Sequence, residues 1–207
     1  MWSILTNNWG TFMSGVGYTL ASSILALIGS LIVGTLFALL EISPFKSLRV
    51  IGRIYVEIVR NIPLLVITSA FYVIVPQFIV KIDGFTAGTI GLLIYTSAFI
   101  AETVRAGIEA VPGGQMEGAR NIGMTYNQAM IQIIFPQVFK MASRPLGIQV
   151  SKLVTNSSVL ALLGGFDLMY QCKLSGDTTF STYDQYLVVG GFSFVLLFPL
   201  TSTVQHL

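Results

Sequence analysis

Glu117-Gly-Ala-Arg-Asn-Ile-Gly-Met-Thr-Tyr-Asn-Gln-Ala-Met-Ile-Gln-Ile-Ile-Phe-Pro136 is a polar island between long apolar segments. Met116, Ala119 and Ile122 fall on related helical positions while Glu117 and Arg120 supply charge, so residues 116–122 are expected to form a short amphipathic helix. Gly123 is a good helix stop. A second short helix is expected over residues 126–135, stopped at Pro136. Such a compact, partly apolar element suits docking into a groove on another protein. An amphipathic helix lying on a membrane surface has the same pattern.

The 207 residues are 54% hydrophobic and 10% charged, with a mean hydropathy of +0.78. That is too little charge to cover a water-soluble domain of this size, so the chain reads as an all-α polytopic membrane protein in one domain, 1–207. The net charge of +2 comes from Lys and Arg gathered in particular loops, which argues for orientation in a bilayer rather than for nucleic acid. A bilayer core of about 30 Å takes roughly 20 apolar helical residues. Five segments approach that length, near residues 15–40, 51–80, 85–104, 146–165 and 186–203. Pro63, in the leading part of the second, is expected to kink it or to start a new helix. Residues 2–14 carry neither Lys nor Arg, so the first apolar stretch is expected to stay as a span.

Lys46, Arg49, Arg53, Arg60, Arg105, Arg120, Lys140 and Arg144 fall on one side of these segments, against Lys81 and Lys173 on the other. The basic side is expected to be cytoplasmic, with the amino terminus outside, the carboxy terminus inside and the loop at about 112–136 in the cytoplasm. Ser22, Ala26, Ser30, Gly34 and Ala38 recur every four residues in the first span, a face of small side chains where another helix can approach closely.

Enzymatic signatures are absent. The sequence holds no Gly-x-x-x-x-Gly-Lys-Ser/Thr phosphate loop and no His-Glu-x-x-His, and its single histidine, His206, leaves no Ser-His-Asp set. One cysteine, Cys172, leaves neither an internal disulfide nor a cysteine metal cluster, so no metal site is expected. Cys172 reads as a neutral outer-loop residue, and Asp167, Asp177 and Asp184 as a solvated acidic loop. The chain is expected to bind no cofactor and not to hydrolyse ATP itself.

Ionisable pairs near the span ends are the remaining chemistry. Glu57 with Arg60, and Glu102 with Arg105, stand three residues apart, so each pair can share a helix face and offset its charge. They read either as part of a gate or solute-recognition site, or as structural ion pairs at the boundary. Gln149, Ser151, Lys152, Thr155, Asn156, Ser157 and Ser158 give the fourth span a polar start, suited to a solute path or to interhelical hydrogen bonds.

Three stretches carry a resemblance. Glu117, Gly118, Ala119, Gly123, Ile133, Phe135 and Pro136 match the spacing of the cytoplasmic "EAA" loop of binding-protein-dependent ABC importer permeases, with Gly118 in place of Ala and Phe135 in place of Leu. The glycine is expected to loosen the helix by roughly 1 kcal/mol. Tyr55, Glu57, Arg60, Pro63, Leu64 and Leu65 resemble the Tyr-x-Glu-x-x-Arg-x-x-Pro-Leu-Leu signature of the polar amino-acid branch, and residues 97–108 and 111–115 are similar to its Ser-Ala-Tyr-x-x-Glu-x-x-Arg-x-Gly-Ile and Val-Pro-x-Gly-Gln motifs. The family's Lys-Asp after the fourth-span Leu is Thr155-Asn156 here, which fits a neutral solute such as glutamine better than a basic one.

The resemblance implies a permease subunit in a bacterial plasma membrane. It also implies two cytoplasmic ATPase subunits that carry ATP and Mg, a second permease, identical or related, and an external solute-binding protein. Glu117, Gly118, Ala119, Arg120 and Gly123 would couple to the ATPases. Glu102, Arg105, Asn156 and Ser157 are candidates for the solute path, and Glu57, Arg60 and Pro63 for structure or gating. Two other readings stand beside it: an ion-coupled secondary transporter with Glu102 as the ion site, and a non-transporting membrane scaffold. The absence of a visible inverted repeat counts against the first.

Overall fold

The computed structural model describes residues 6, 8–78, 80–179 and 182–205, and among these residues every regular element is helical. His206 lies outside the described residues.

Helix α1 (Trp9–Glu41) is apolar almost all round and, at 33 residues, is about 50 Å long, more than enough to cross a bilayer. Its stripe of small residues is the face it buries: Ser22, Ala26, Ser30 and Ala38 are fully covered, and Gly34 is buried among them. Ser22 and Ser30 return their hydroxyl protons to the helix's own carbonyls, Thr19 O and Leu27 O, so the stripe brings no unpaired donor into the bilayer. The opposite face, with Ile24, Leu25, Ile28 and Ile32 more than half exposed, is suited to lipid.

The small stripe packs on α5 (Gly84–Glu109), the central helix, which Asp83 caps by accepting from Thr86 N–H at 3.3 Å. A Cβ at Gly34 would meet Ser97 O of α5 at 2.6 Å, a backbone atom that cannot give way. Gly34→Val is therefore expected to destabilise the α1–α5 contact by about 2 kcal/mol. The check is the Tm of the detergent-purified protein against Gly17→Val, where an added Cβ meets nothing within 4 Å. Equal shifts in the two variants would refute close packing at Gly34.

The second expected span is not one helix. Helix α2 (Lys46–Asn61) ends at Ile62, whose extended backbone (φ −92°, ψ 130°) is what a following proline imposes. Pro63 then starts α3 (Leu64–Val73), continued by α4 (Val75–Phe78), and Leu64–Phe78 is bent by 98° from α2. Pro63 thus begins a new helix, which gives four long apolar helices, or five spans when the bent pair is taken as one. Helix α2 packs its Gly52 against Glu41 at the end of α1 and holds Tyr55 between Phe37, stacked at 3.7 Å, and Ser97, whose hydroxyl lies 2.6 Å from the phenol oxygen.

Beyond α5 come α6 (Gly113–Asn121) and α7 (Tyr126–Ala129), then a π-helical turn (Met130–Ile134) that runs into α8 (Phe135–Asn156). Pro136 does not stop a helix here. It follows the π turn directly, inside a helical run that continues through α8. The fourth span is accordingly a 38-residue helical run, Tyr126–Leu163, that starts twenty residues earlier than its apolar part. Ser157–Leu163 tightens to a 3₁₀ helix closed by Gly164 at φ +72°, followed by α9 (Leu168–Thr179) and α10 (Thr182–Gln205).

Glu41, Arg49, Arg53, Arg60, Arg105 and Glu109 border one cleft, at the end of the bundle where α6 also leaves α5. Lys81 stands at the other end, just before α5, and Lys173 lies on α9, which packs Leu168 against Gly15 near the start of α1. Arg49, Arg53, Arg60 and Arg105 thus gather at one end of the bundle, and Lys81 and Lys173 lie towards the other.

Candidate functional site

Helix α6 is held by one side and open on the other. Ala119 is 3% exposed and Met116 packs against a cluster of Val111, Met130, Ile134, Val138 and Ala142, while Glu117, Gly118, Arg120 and Asn121 are exposed. Ile122, expected on the same apolar edge as Met116 and Ala119, instead lies past the helix end and is 77% exposed. Gly123 closes the helix in the left-handed region at φ +88°, where its N–H bonds to Arg120 O and the Met124 N–H to Ala119 O. Thr125 and Gln128 then form a capping box that starts α7 at once. A Cβ at Gly118 would meet nothing within 4 Å, so the glycine there is not required by packing in this chain.

The ionisable residues form a network rather than two separate pairs. Arg105 bonds Glu102 at 2.5 Å and Glu109 at 2.7 Å, and its Nε lies 3.5 Å from Glu41, a charge contact rather than a hydrogen bond. Glu102 also meets Arg60 at 3.3 Å. The expected Glu57–Arg60 pair is not made: Arg60 sits over the Phe99 ring, 5.5 Å from its centre, and turns to Glu102. The network joins the ends of α1, α2 and α5 beside a polar cleft of about 710 Å³. Within the cleft, Arg49, Arg53, Arg60 and Arg105 balance Glu41, Glu57, Glu102 and Glu109.

The fold does not bring the four candidate path residues together. Glu102 and Arg105 belong to the charged cleft. Asn156 lines a small cavity of about 60 Å³ between α5 and α8 with Tyr95, Phe99, Gln149 and Lys152. Ser157 lies elsewhere: it is 1% exposed, donates to Val154 O at 2.7 Å, and borders a different cavity with Thr19 and Asp167. Phe99 links the first two places, touching Arg60 and lining the Asn156 cavity. Glu41, Glu109 and Phe99 escaped the sequence reading; the signal available was their helical spacing from Glu102 and Arg105 and the placement of Glu41 at the end of an apolar run.

Two readings of the far end need correction. Cys172 is 1% exposed and packs with Phe12, Leu168 and Val189, and burial pushes its thiol pKa up, so it is a core residue. Asp167 is 1% exposed, not solvated. It precedes α9, accepts from Met169 N–H at 3.2 Å, and follows Phe166, which adopts φ +59°. Burial raises its carboxyl pKa to about 6, the Met169 and Tyr170 N–H groups opposing this in part. Asp184 is half-buried, and the side chain of Asp177 lies outside the described residues. Among the described residues no cluster of three or more His, Cys, Asp or Glu is set to hold a metal.

A bundle of spanning helices with a braced helical loop projecting from one end defines a multi-pass membrane domain. The chain belongs to the family described as binding-protein-dependent transport system inner membrane component, which matches it over residues 30–207. It is 49% identical over 205 residues to the probable glutamine ABC transporter permease protein GlnM of Bacillus subtilis (strain 168), covering 99% of this chain and 95% of that one. It is 29% identical over 209 residues to the L-cystine transport system permease protein TcyB of the same organism, covering 99% and 88%. Among solved structures, an amino acid ABC transporter crystallised with histidines superposes with a TM-score of 0.90 at 32% identity, over 97% of this chain and 94% of that one.

Proposed function

We propose that this chain is the permease subunit of an ATP-driven importer of polar amino acids, with a glutamine-like solute favoured. The observation that carries the reading is near full-length identity of 49% to a probable glutamine permease, combined with a braced loop whose charged face is open. Relatives named for different amino acids agree on the solute class rather than on the solute. Glutamine is favoured by the first of them and by the neutral Thr155 and Asn156. Neither a secondary transporter nor a passive scaffold is favoured by this family membership.

In this reading the loop at about 112–136 faces the cytoplasm, with the amino terminus outside and the carboxy terminus inside. Two separate ATPase subunits bind ATP and Mg and engage Glu117, Gly118, Ala119, Arg120 and Gly123. A second permease, identical or related, completes the solute path, and an external binding protein delivers the solute. Binding of ATP draws the ATPases together and moves α6. Because Met116 is packed on the cluster that holds Met130, Ile134 and Val138, displacement of α6 is carried to α8 through the π turn, a local geometry frequent at functional sites. The ion network at Glu41, Arg60, Glu102 and Arg105 holds three helix ends together at the same end of the bundle and is placed to act as a gate there.

The test is uptake of radiolabelled glutamine, with arginine and histidine in parallel, into liposomes holding the permease with its co-purifying ATPase and binding protein. ATP-dependent accumulation of glutamine is expected. Uptake indifferent to ATP would overturn the importer reading, and preferred uptake of arginine would overturn the solute.

A further inference from the structure

At the opposite end of the bundle from the charged cleft, a cavity of about 180 Å³ lies where α1, the 3₁₀ segment, α9 and α10 meet. Thr19, Thr155, Ser157, Ser158 and Ser193 are the hydroxyl residues that line it, Ser157 and Ser158 donating to Val154 O and Thr155 O and keeping their lone pairs, and Asp167 is the single charged residue among those lining it. One oxygen of that carboxylate, Oδ2, accepts from Met169 N–H. The other, Oδ1, is fully covered and meets no donor. A buried carboxylate oxygen with no donor is strongly disfavoured, and protein structures remove the problem with a counter-charge or a proton. No Lys or Arg lines the cavity, so the compensation the protein supplies is that of the N–H groups at the start of α9, without a full counter-charge.

We infer that this cavity is a binding site for one monovalent metal cation of the Na⁺ class, held by Asp167 Oδ1 and the surrounding hydroxyls. The donor set decides the charge of the ligand: one carboxylate and several neutral oxygens compensate a single positive charge, whereas divalent ions favour sites with more carboxylates. The hydroxyl of Thr19 already accepts from Leu168 N–H, which fixes one wall of the site to α1. Occupation would tie the start of α1 to the 3₁₀ segment and to α10. The site is separate from the loop and from the charged cleft, so it stands or falls independently of the transport reading.

The experiment is thermal unfolding of the purified permease–ATPase complex as NaCl or KCl replaces N-methyl-D-glucamine chloride at constant ionic strength. The expected result is a Tm that rises and saturates with the small cation, no such rise in Asp167→Asn, and a several-fold weaker midpoint in Ser193→Ala, which keeps the carboxylate and guards against misfolding of the first variant. An equal rise in Asp167→Asn, or no cation dependence in the wild type, overturns the site. So does a Tm that follows pH identically in Na⁺ and N-methyl-D-glucamine while wild type and Ser193→Ala coincide, because a proton is then sufficient. A shift produced by glutamine in the absence of Na⁺ or K⁺, with no further effect of either ion, also overturns it.

Discussion

Glu117→Lys is expected to reduce ATP-driven uptake by roughly a hundredfold while leaving the Tm of the permease unchanged. The argument starts from the position of the side chain. Glu117 is exposed on α6 and, among the described residues, takes part in no ion pair, so reversing its charge breaks nothing inside the fold. The helix itself is retained, because Ala119 and Met116 anchor it and Gly123 closes it. Lys forms helix at least as readily as Glu. Any loss must therefore arise where α6 meets another molecule, and placing like charges opposite one another at a docked surface costs several kcal/mol, about 3 kcal/mol being a hundredfold in affinity. Three readouts separate the outcomes: uptake, co-purification of the ATPase, and permease Tm. Loss of uptake and of ATPase association at constant Tm supports coupling through α6. A lowered Tm would make the effect structural, and undiminished uptake would remove Glu117 from the interface.

How far the sequence announces this structure depends on how local the governing physics is. The α6 helix and its end at Gly123 were legible because a stop signal and a helical period act within one turn. The small-residue face of α1 was legible for a related reason: a four-residue repeat places one stripe on one face, and in a bilayer close approach is what such a stripe offers. Pro63 announced a break but not its angle, since the direction of α3 is set by its packing on α5, where Gly91 admits Thr68. Pro136 misled because a proline carried within a helical run and a proline that ends one look alike in sequence, and here the run continues from the π turn through it.

The candidate site was legible in parts. Glu102 and Arg105 were paired correctly, because three-residue spacing brings side chains together on any helix. Arg60 was not, because its partner comes from another helix 42 positions along the chain. Asp167 was misread for the same reason: its sequence neighbours describe a loop, whereas its surroundings come from α1 and α10.

Arg105→Ala is expected to be the most destabilising single change in the charged cleft. Arg105 reaches three carboxylates, and Glu41, whose side chain is 7% exposed, has no other ion-pair partner among the described residues. Removing one side of a buried pair leaves the other charge without compensation, which typically costs 3–5 kcal/mol; with Arg105 itself 28% exposed, water takes up part of that loss and about 2 kcal/mol is the reasonable expectation. For a chain of this size that corresponds to a fall in Tm of roughly 4–8 °C. The neighbouring substitutions rank by the same reasoning. Glu109→Gln removes a carboxylate that is 57% exposed and is expected to leave the Tm almost unchanged. Glu102→Gln falls between, because it frees both Arg60 and Arg105 at one stroke yet leaves Arg105 with Glu41 and Glu109. Arg105→Lys keeps the charge but not the planar fork that serves three acceptors at once, so only part of the loss is recovered. Equal, small shifts across the series would mean that the network is a solvated surface array. The ordered series would mean that Glu41 is held at the end of α1 by a charge on α5, and that any movement of these helix ends during transport must first part Arg105 from Glu41.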